Sequence, residues 1–196
     1  MTAREEILAR IRTALGPAPS APPIPREYRR TAPDEGLVEL FTDRLLDYRA
    51  SVVPATADSL EAIIDAAVTG RTLVPADLPW VVTGAEADTG AGPAELDAYD
   101  TVVTACAAAC AETGTIVLDG SPDQGRRAIS LVPDRHVCVV RADQIVATVP
   151  ELLTRLDPRR PLTFISGPSA TSDIELTRVE GVHGPRTLIV ILVADR

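Results

Sequence analysis

The sequence predicts an open α/β domain, with a mainly parallel sheet flanked by helices and an N-terminal helical arm in front of it. Residues 161–166 and 187–193 are runs of Ile, Leu, Val and Phe without polar alternation, which is how strands buried on both faces of a parallel sheet read. Upstream, short β-branched segments alternate with apolar stripes at helical spacing, as α/β domains require. Aromatic residues make up only 3% of the chain, so the core has to be assembled from Val, Leu, Ile and Ala.

Taken in order, Ile7, Leu8, Ile11 and Leu15 make one apolar face of a helix over residues 4–15 that Gly16 ends. Six prolines between Pro17 and Pro33 forbid helix and ladder alike, so residues 17–33 read as an extended linker. The first helix is then an arm able to dock on its own domain or on a partner, a second copy included. The remaining residues, 34–196, form the α/β domain. Leu37, Phe41, Leu45 and Tyr48 mark a helix over 36–49, and Ser51-Val52-Val53 a short strand. Asp58 with Glu61 reads as an N-cap opening a helix through Leu60, Ile63, Ile64, Ala67 and Val68, stopped by Gly70. Strands are expected at Arg71–Val74, Trp80–Thr83, Thr101–Thr104, Thr115–Leu118 and His136–Val140, with an alanine-rich turn of helix between the third and fourth. Residues 84–99 read as loop, and Asp119-Gly120-Ser121-Pro122 as a turn. Thr148 and Glu151 form a capping box with Pro150 in the first turn, ahead of Leu152, Leu153 and Leu156.

Composition removes several function classes. A net charge of −9 lacks the clustered cations that phosphate neutralisation requires, so nucleic acid is not an expected partner. Every one of the nineteen basic residues is Arg, which excludes lysine Schiff-base chemistry. No apolar stretch has membrane-spanning length and the first residues lack a signal-peptide core, so no membrane insertion and a cytoplasmic location are expected. Cys106, Cys110 and Cys138 have no metal-site spacing; they read as buried thiols, and neither a metal nor a cofactor is implied.

Four stretches have the residue types for chemistry. Glu112 in Glu112-Thr113-Gly114-Thr115 is a carboxylate at a strand edge, available as base or nucleophile, or as a turn residue bonded to backbone. Gln124-Gly125-Arg126-Arg127 offers a bidentate grip on an anion through Arg126, or a solvated charge pair. Gly167-Pro168-Ser169-Ala170-Thr171-Ser172-Asp173 combines small hydroxyls and free backbone N–H groups beyond a strand's carboxyl end, where open α/β sheets bind ligands. Ser172 with Glu175 would supply a helix cap there. His183 and Gly184, flanked by Gly181 and followed by Arg186, sit in the loop that enters the last strand. His136, opening a strand among apolar residues, reads as a structural histidine. No phosphate-cradling P-loop, dinucleotide-binding glycine fingerprint or nucleophile elbow is present.

At these residues the chain resembles the lactate-utilisation protein C family, the LUD domain. The matching pieces are Ala111-Glu112-Thr113-Gly114-Thr115, Leu131-Val132-Pro133-Asp134-Arg135-His136-Val137, Ile165-Ser166-Gly167-Pro168-Ser169-Ala170-Thr171-Ser172-Asp173-Ile174-Glu175 and Gly181-Val182-His183-Gly184-Pro185-Arg186. The resemblance implies a fold similar to phosphosugar isomerases and coenzyme A transferases. It also implies a role in oxidation of L-lactate to pyruvate alongside iron–sulfur partner proteins. This chain lacks those partners' cysteine clusters, which makes it a non-redox subunit, an assembly subunit, or an enzyme similar to the transferases. Together these readings nominate Glu112 and His183 for proton transfer or nucleophilic chemistry. Arg126, Gly167, Ser169, Thr171, Asp173, Gly184 and Arg186 are nominated as the cradle of a small carboxylate or other anion.

Overall fold

The computed structural model describes residues 2–16, 23–171, 179–181 and 183–194. In chain order the elements are α1 (Ala3–Leu15), α2 (Leu37–Asp47), β1 (Ser51–Ala55), α3 (Leu60–Ala67), β2 (Thr72–Val74), β3 (Glu86–Ala87) and α4 (Pro93–Leu96). Then come β4 (Thr101–Thr104), β5 (Ala108–Cys110), β6 (Thr115–Leu118), β7 (Arg135–Arg141), β8 (Ile145–Val146), α5 (Val149–Thr154), β9 (Thr163–Ile165), β10 (Ala170–Thr171), β11 (Val179–Glu180) and β12 (Thr187–Val193). A 3₁₀ turn at Arg127–Ser130 precedes β7.

Six strands form one sheet in the order β1-β12-β7-β4-β2-β3, and each neighbouring pair is parallel. β12 and β7 lie inside it, with Leu188 opposite His136 and Val190 opposite Cys138. One face of this sheet presents Val103, Val137, Val139, Ile189 and Ile191 to Leu60 and Ile64 of α3. The other presents Cys138, Val140, Leu188, Val190 and Leu192 to Phe41 and Leu45 of α2 and to a second, four-stranded sheet. That second sheet runs β8-β5-β6-β9; its far face carries Val117, Val146 and Cys110 against Leu152 of α5. The layers are thus helix, parallel sheet, mixed sheet and helix, and apolar side chains fill all three interfaces.

Five local expectations are corrected by this architecture, the first being the loop expected over 84–99, which holds β3, paired with β2, and α4. Residues 161–166 do not join the parallel sheet: β9 is an edge strand of the second sheet, antiparallel to β6, and Phe164 is 49% exposed. The alanine-rich stretch is strand, not helix, because Ala108, Ala109 and Cys110 are small enough to lie wholly buried between packed layers while pairing with β6. Trp80–Thr83 is not a strand, since acidic side chains of α3 take the backbone donors a ladder would use. Val81 N–H donates to Glu61 at 2.9 Å, and Thr83 N–H donates to Asp65 at 2.9 Å. Finally Ser59, not Asp58, stands at the N-cap of α3, with its hydroxyl turned back to Thr56 N–H at 2.9 Å. The capping box expected at Thr148 and Glu151 does form, with Pro150 in the first turn of α5. The box expected at Ser172 and Glu175 lies outside the described residues.

α1 is capped by Thr2 and Glu5 and buries none of its residues; Ile7, Ile11 and Leu15 are 58%, 49% and 58% exposed. The end of the proline-rich segment is tied to the domain, because Thr148 Oγ1 donates to the Arg30 carbonyl at 2.9 Å and Arg29 pairs with Glu112.

Candidate functional site

Three segments meet at the amino ends of β7 and β12. The first is the stretch beyond β9, from Ser166 through Gly167 and Pro168 to Ser169. The second is the loop entering β12, with His183, Gly184 and Pro185. The third is the 3₁₀ turn, contributing Arg127, Ser130 and then Leu131. They enclose a cavity of about 230 Å³ that His136 and Leu188, at the starts of their strands, also line. The cavity therefore lies beyond the carboxyl end of β9, yet at the amino edge of the parallel sheet. The reason is that β9 belongs to the other sheet and runs against β6.

Ser169 holds the two loops together. Its N–H donates to the Pro185 carbonyl at 2.8 Å, its carbonyl accepts from Gly181 N–H at 3.0 Å, and its Oγ accepts from His183 N–H at 3.1 Å. The short hairpin of β10 with β11, which pairs Thr171 with Val179, continues this contact. Gly167 is required where it stands. Its φ is +95°, and a Cβ there would lie 2.6 Å from Cβ of Tyr48. Gly114 answers the same need one turn earlier along α2: at φ +59° a Cβ would come within 2.8 Å of Arg44 Cβ. The glycine of the Glu-Thr-Gly stretch is thus explained by packing of α2 on the strand turn. Its threonines reach the cavity indirectly, through hydroxyl contacts from Thr113 to Thr115 at 2.7 Å and from Thr115 to Ser166 at 2.8 Å.

The nominated residues divide. Gly167, Ser169, His183 and Gly184 line the one cavity. Glu112 does not; its carboxylate holds Arg29 of the linker, and its N–H donates to the Ala147 carbonyl at 3.1 Å. Arg186 grips Asp134 through Nε at 2.7 Å and Nη2 at 2.8 Å, which fixes the loop ahead of β12 and holds the Asp134 carboxyl below its ordinary pKa. Arg126 is clamped in the same fork geometry on Asp88, at 2.6 and 2.8 Å, and likewise keeps that carboxyl's pKa down. Asp173 and the side chain of Thr171 lie outside the described residues.

Two residues of the site escaped sequence reasoning. Arg127 is exposed, lines the cavity and forms no ion pair with any described residue. The two arginines are adjacent, and only the partner at Asp88, far away in sequence, decides which of them faces the cavity. His136 is 1% exposed and reaches the cavity floor, with Nε2 2.8 Å from Thr104 Oγ1. Its apolar neighbours made it read as structural; the signal for it was its position at the first turn into a central strand.

Among the described residues the lining thus holds one guanidinium without an ion pair, two imidazoles and the hydroxyls of Ser130, Thr163, Ser166 and Ser169. Among the described residues it holds no carboxylate, although the chain carries twenty-eight. Such a cavity suits a small anion.

Comparison with known proteins places this architecture. The LUD domain family model matches residues 52–193. The chain belongs to the LUD domain family. Over 204 residues it is 47% identical to lactate utilization protein C of Deinococcus radiodurans, spanning 97% of this chain and 95% of that protein. It is 30% identical over 225 residues to lactate utilization protein C of an Exiguobacterium species, spanning 100% of this chain and 97% of that one. A crystal structure of a DUF162 family protein from Deinococcus radiodurans is similar in fold, with a TM-score of 0.70 at 41% identity, covering 83% of this chain and 99% of that one. The matched LUD domain starts in β1 and ends with β12, so it contains the whole described cavity and excludes α1, α2 and the linker.

Proposed function

We propose that this LUD domain protein serves lactate utilisation as a non-redox subunit that binds a small carboxylate in the cavity beneath Arg127 and works beside iron–sulfur partner proteins. The observation that carries the binding site is the cationic, hydroxyl-rich lining of a cavity in a strongly acidic chain. Arg127 supplies the charge, Ser169 keeps its own hydroxyl proton to donate after accepting from His183 N–H, and His183 stands at the rim for proton exchange. The role in lactate utilisation is drawn from relatives that bear that name along nearly their full length. Electron transfer is assigned to partners because the three cysteines are buried and bonded within the core: Cys106 to Gln144 Oε1, Cys110 to the Ala147 carbonyl and Cys138 to the Ala105 carbonyl.

Glu112 enters this reading as the anchor of the linker rather than as a nucleophile. Calorimetry with L-lactate, pyruvate and coenzyme A tests the site. Binding of a small carboxylate by the wild type and its loss in Arg127→Gln is the expected result, and silence at millimolar ligand removes the site. A second reading, assembly without ligand chemistry, is favoured by the exposed apolar face of α1. It expects that removing residues 1–33 abolishes co-purification with the iron–sulfur proteins while Arg127→Gln leaves growth on lactate intact.

A further inference from the structure

A second cavity, of about 380 Å³, adjoins the one already described. The two share Arg127, Ser130 and Thr163, and each of these shared residues is polar. Away from that junction the second cavity is faced by Leu118, Pro122 and Pro161, with the small side chain of Ser121 between them and no carboxylate among the described residues. Its one further charged side chain is Arg126, already held in the fork on Asp88 and by the Ala91 carbonyl.

The junction carries a hydroxyl that the fold itself does not use. Thr163 is only 8% exposed and stands opposite Leu118 where β9 pairs with β6, yet its Oγ1 bonds no described residue. Among the described residues no buried side-chain oxygen is sealed off without a partner, so the Thr163 hydroxyl opens onto the cavities it lines. A hydroxyl this deep that is left without a protein partner marks a place where a bound group completes the hydrogen bond. Ser130 serves the same spot differently: its Oγ donates to the Arg127 carbonyl at 3.1 Å and so fixes the backbone from which the guanidinium projects.

A polar junction with an apolar chamber beyond it is the arrangement that an anion with a hydrocarbon tail requires. A three-carbon acid seated at Arg127 would leave Leu118, Pro122 and Pro161 uncovered. We propose that the second cavity takes the unbranched tail of a medium-chain amphipathic anion whose head group is held at the junction by Arg127 and Thr163. This rests on the reading of Arg127 as the partner of a carboxylate and adds to it a second, apolar compartment and a dependence on chain length.

Calorimetry with propionate, hexanoate and octanoate separates the two claims. Affinity is expected to rise by about two- to fourfold per added methylene, as apolar surface leaves water. In Ser121→Phe, which fills the second cavity, that gain with length is lost. In Thr163→Val, which keeps the shape and removes the hydroxyl, all three acids weaken by a similar factor; unchanged affinities there would take the head group away from the junction and overturn the assignment. Should none of the acids bind the wild type, the carboxylate site and this proposal fall together. Should all bind with equal affinity, or should Ser121→Phe keep the full gain, the second cavity is not the tail's place, while the carboxylate site stands. Isotope-filtered nuclear Overhauser contacts from bound octanoate read the tail's position without any variant. Contacts to the methyl groups of Leu118 are expected, and contacts to those of Leu131 instead would put the tail in the first cavity and refute the proposal.

Discussion

β12 and β9 are both short aliphatic strands, and they do opposite work. β12 has strands on both sides and packed layers on both faces, so Leu188 to Val193 are all buried. β9 has one free edge and one partly open face, and the segment beyond it turns directly into the cavity wall. The middle of a strand covered on every side contributes stability, and only its first residues, such as Leu188, reach the cavity. A strand with an open side can spend its last residues on a ligand, because few neighbours depend on where they sit. The same split runs through the arginines: Arg126 and Arg186 are locked on carboxylates and hold loops in place, while Arg127 is left to face the cavity.

The largest effect should come from the closed region. Ile191 is fully buried against α3, and Ile191→Ala leaves a cavity between the parallel sheet and that helix; a loss of about 2–5 kcal/mol is expected from chemical denaturation. The equivalent truncation on the open strand, Phe164→Ala, removes a side chain already 49% exposed and should cost about 1 kcal/mol or less. Equal losses at the two positions would mean that β9 is covered in solution, and the contrast drawn here would be lost.

Next in size is the clamp on the turn. Arg126→Ala leaves Asp88, only 9% exposed at its side chain, without its bidentate partner, at a cost of about 1–2 kcal/mol. The pH dependence has a definite sign. The folded-state pKa of Asp88 lies below its ordinary 3.8, chiefly through the bond from Arg126, so the pair's contribution is complete above that value. It is lost as pH falls through the lower folded-state pKa. Denaturation curves of wild type and variant should therefore differ by a constant amount from pH 7 down to about pH 4, then converge in more acid solution. A gap that widens below pH 4 would contradict the assignment.

How much of this was legible beforehand follows from the range of the interactions involved. Helices announced themselves through local periodicity and caps, as at Leu37–Asp47 and at Thr148 with Glu151. The central strands did so through unbroken aliphatic runs. What failed was everything decided by a distant neighbour. Nothing within residues 161–166 says that they pair with β6 rather than β12. Nothing near Trp80 reveals that Glu61 and Asp65 will occupy the backbone donors of Val81 and Thr83. The site behaves the same way. The loop around Ser169 and His183 was readable from its composition, being small, polar and glycine-rich. The choice between Arg126 and Arg127, and the promotion of His136 from core to cavity, depended on Asp88 and Thr104, which are remote in sequence.

The smallest expected change in stability is paired with the largest change in binding, and that pairing is the sharpest form of the contrast between closed and open regions. Arg127 is exposed and makes no ion pair with a described residue, so Arg127→Ala should move stability by no more than about 0.5 kcal/mol in either direction. Nor does its removal leave a buried charge uncompensated, as removal of Arg126 does. Yet among the described residues Arg127 is the only guanidinium in the cavity lining, and a charge-assisted hydrogen bond to a carboxylate is worth about 1.5–3 kcal/mol. Affinity for a small carboxylate should thus fall by about tenfold or more, beyond the reach of millimolar titrations, while the melting temperature stays within a degree or two of wild type. Arg126→Ala should give the reverse, lower stability with near-normal affinity once folded. If the two neighbours gave the same phenotype, the division of labour between a clamped arginine and a free one would be wrong, and with it the position assigned to the anion.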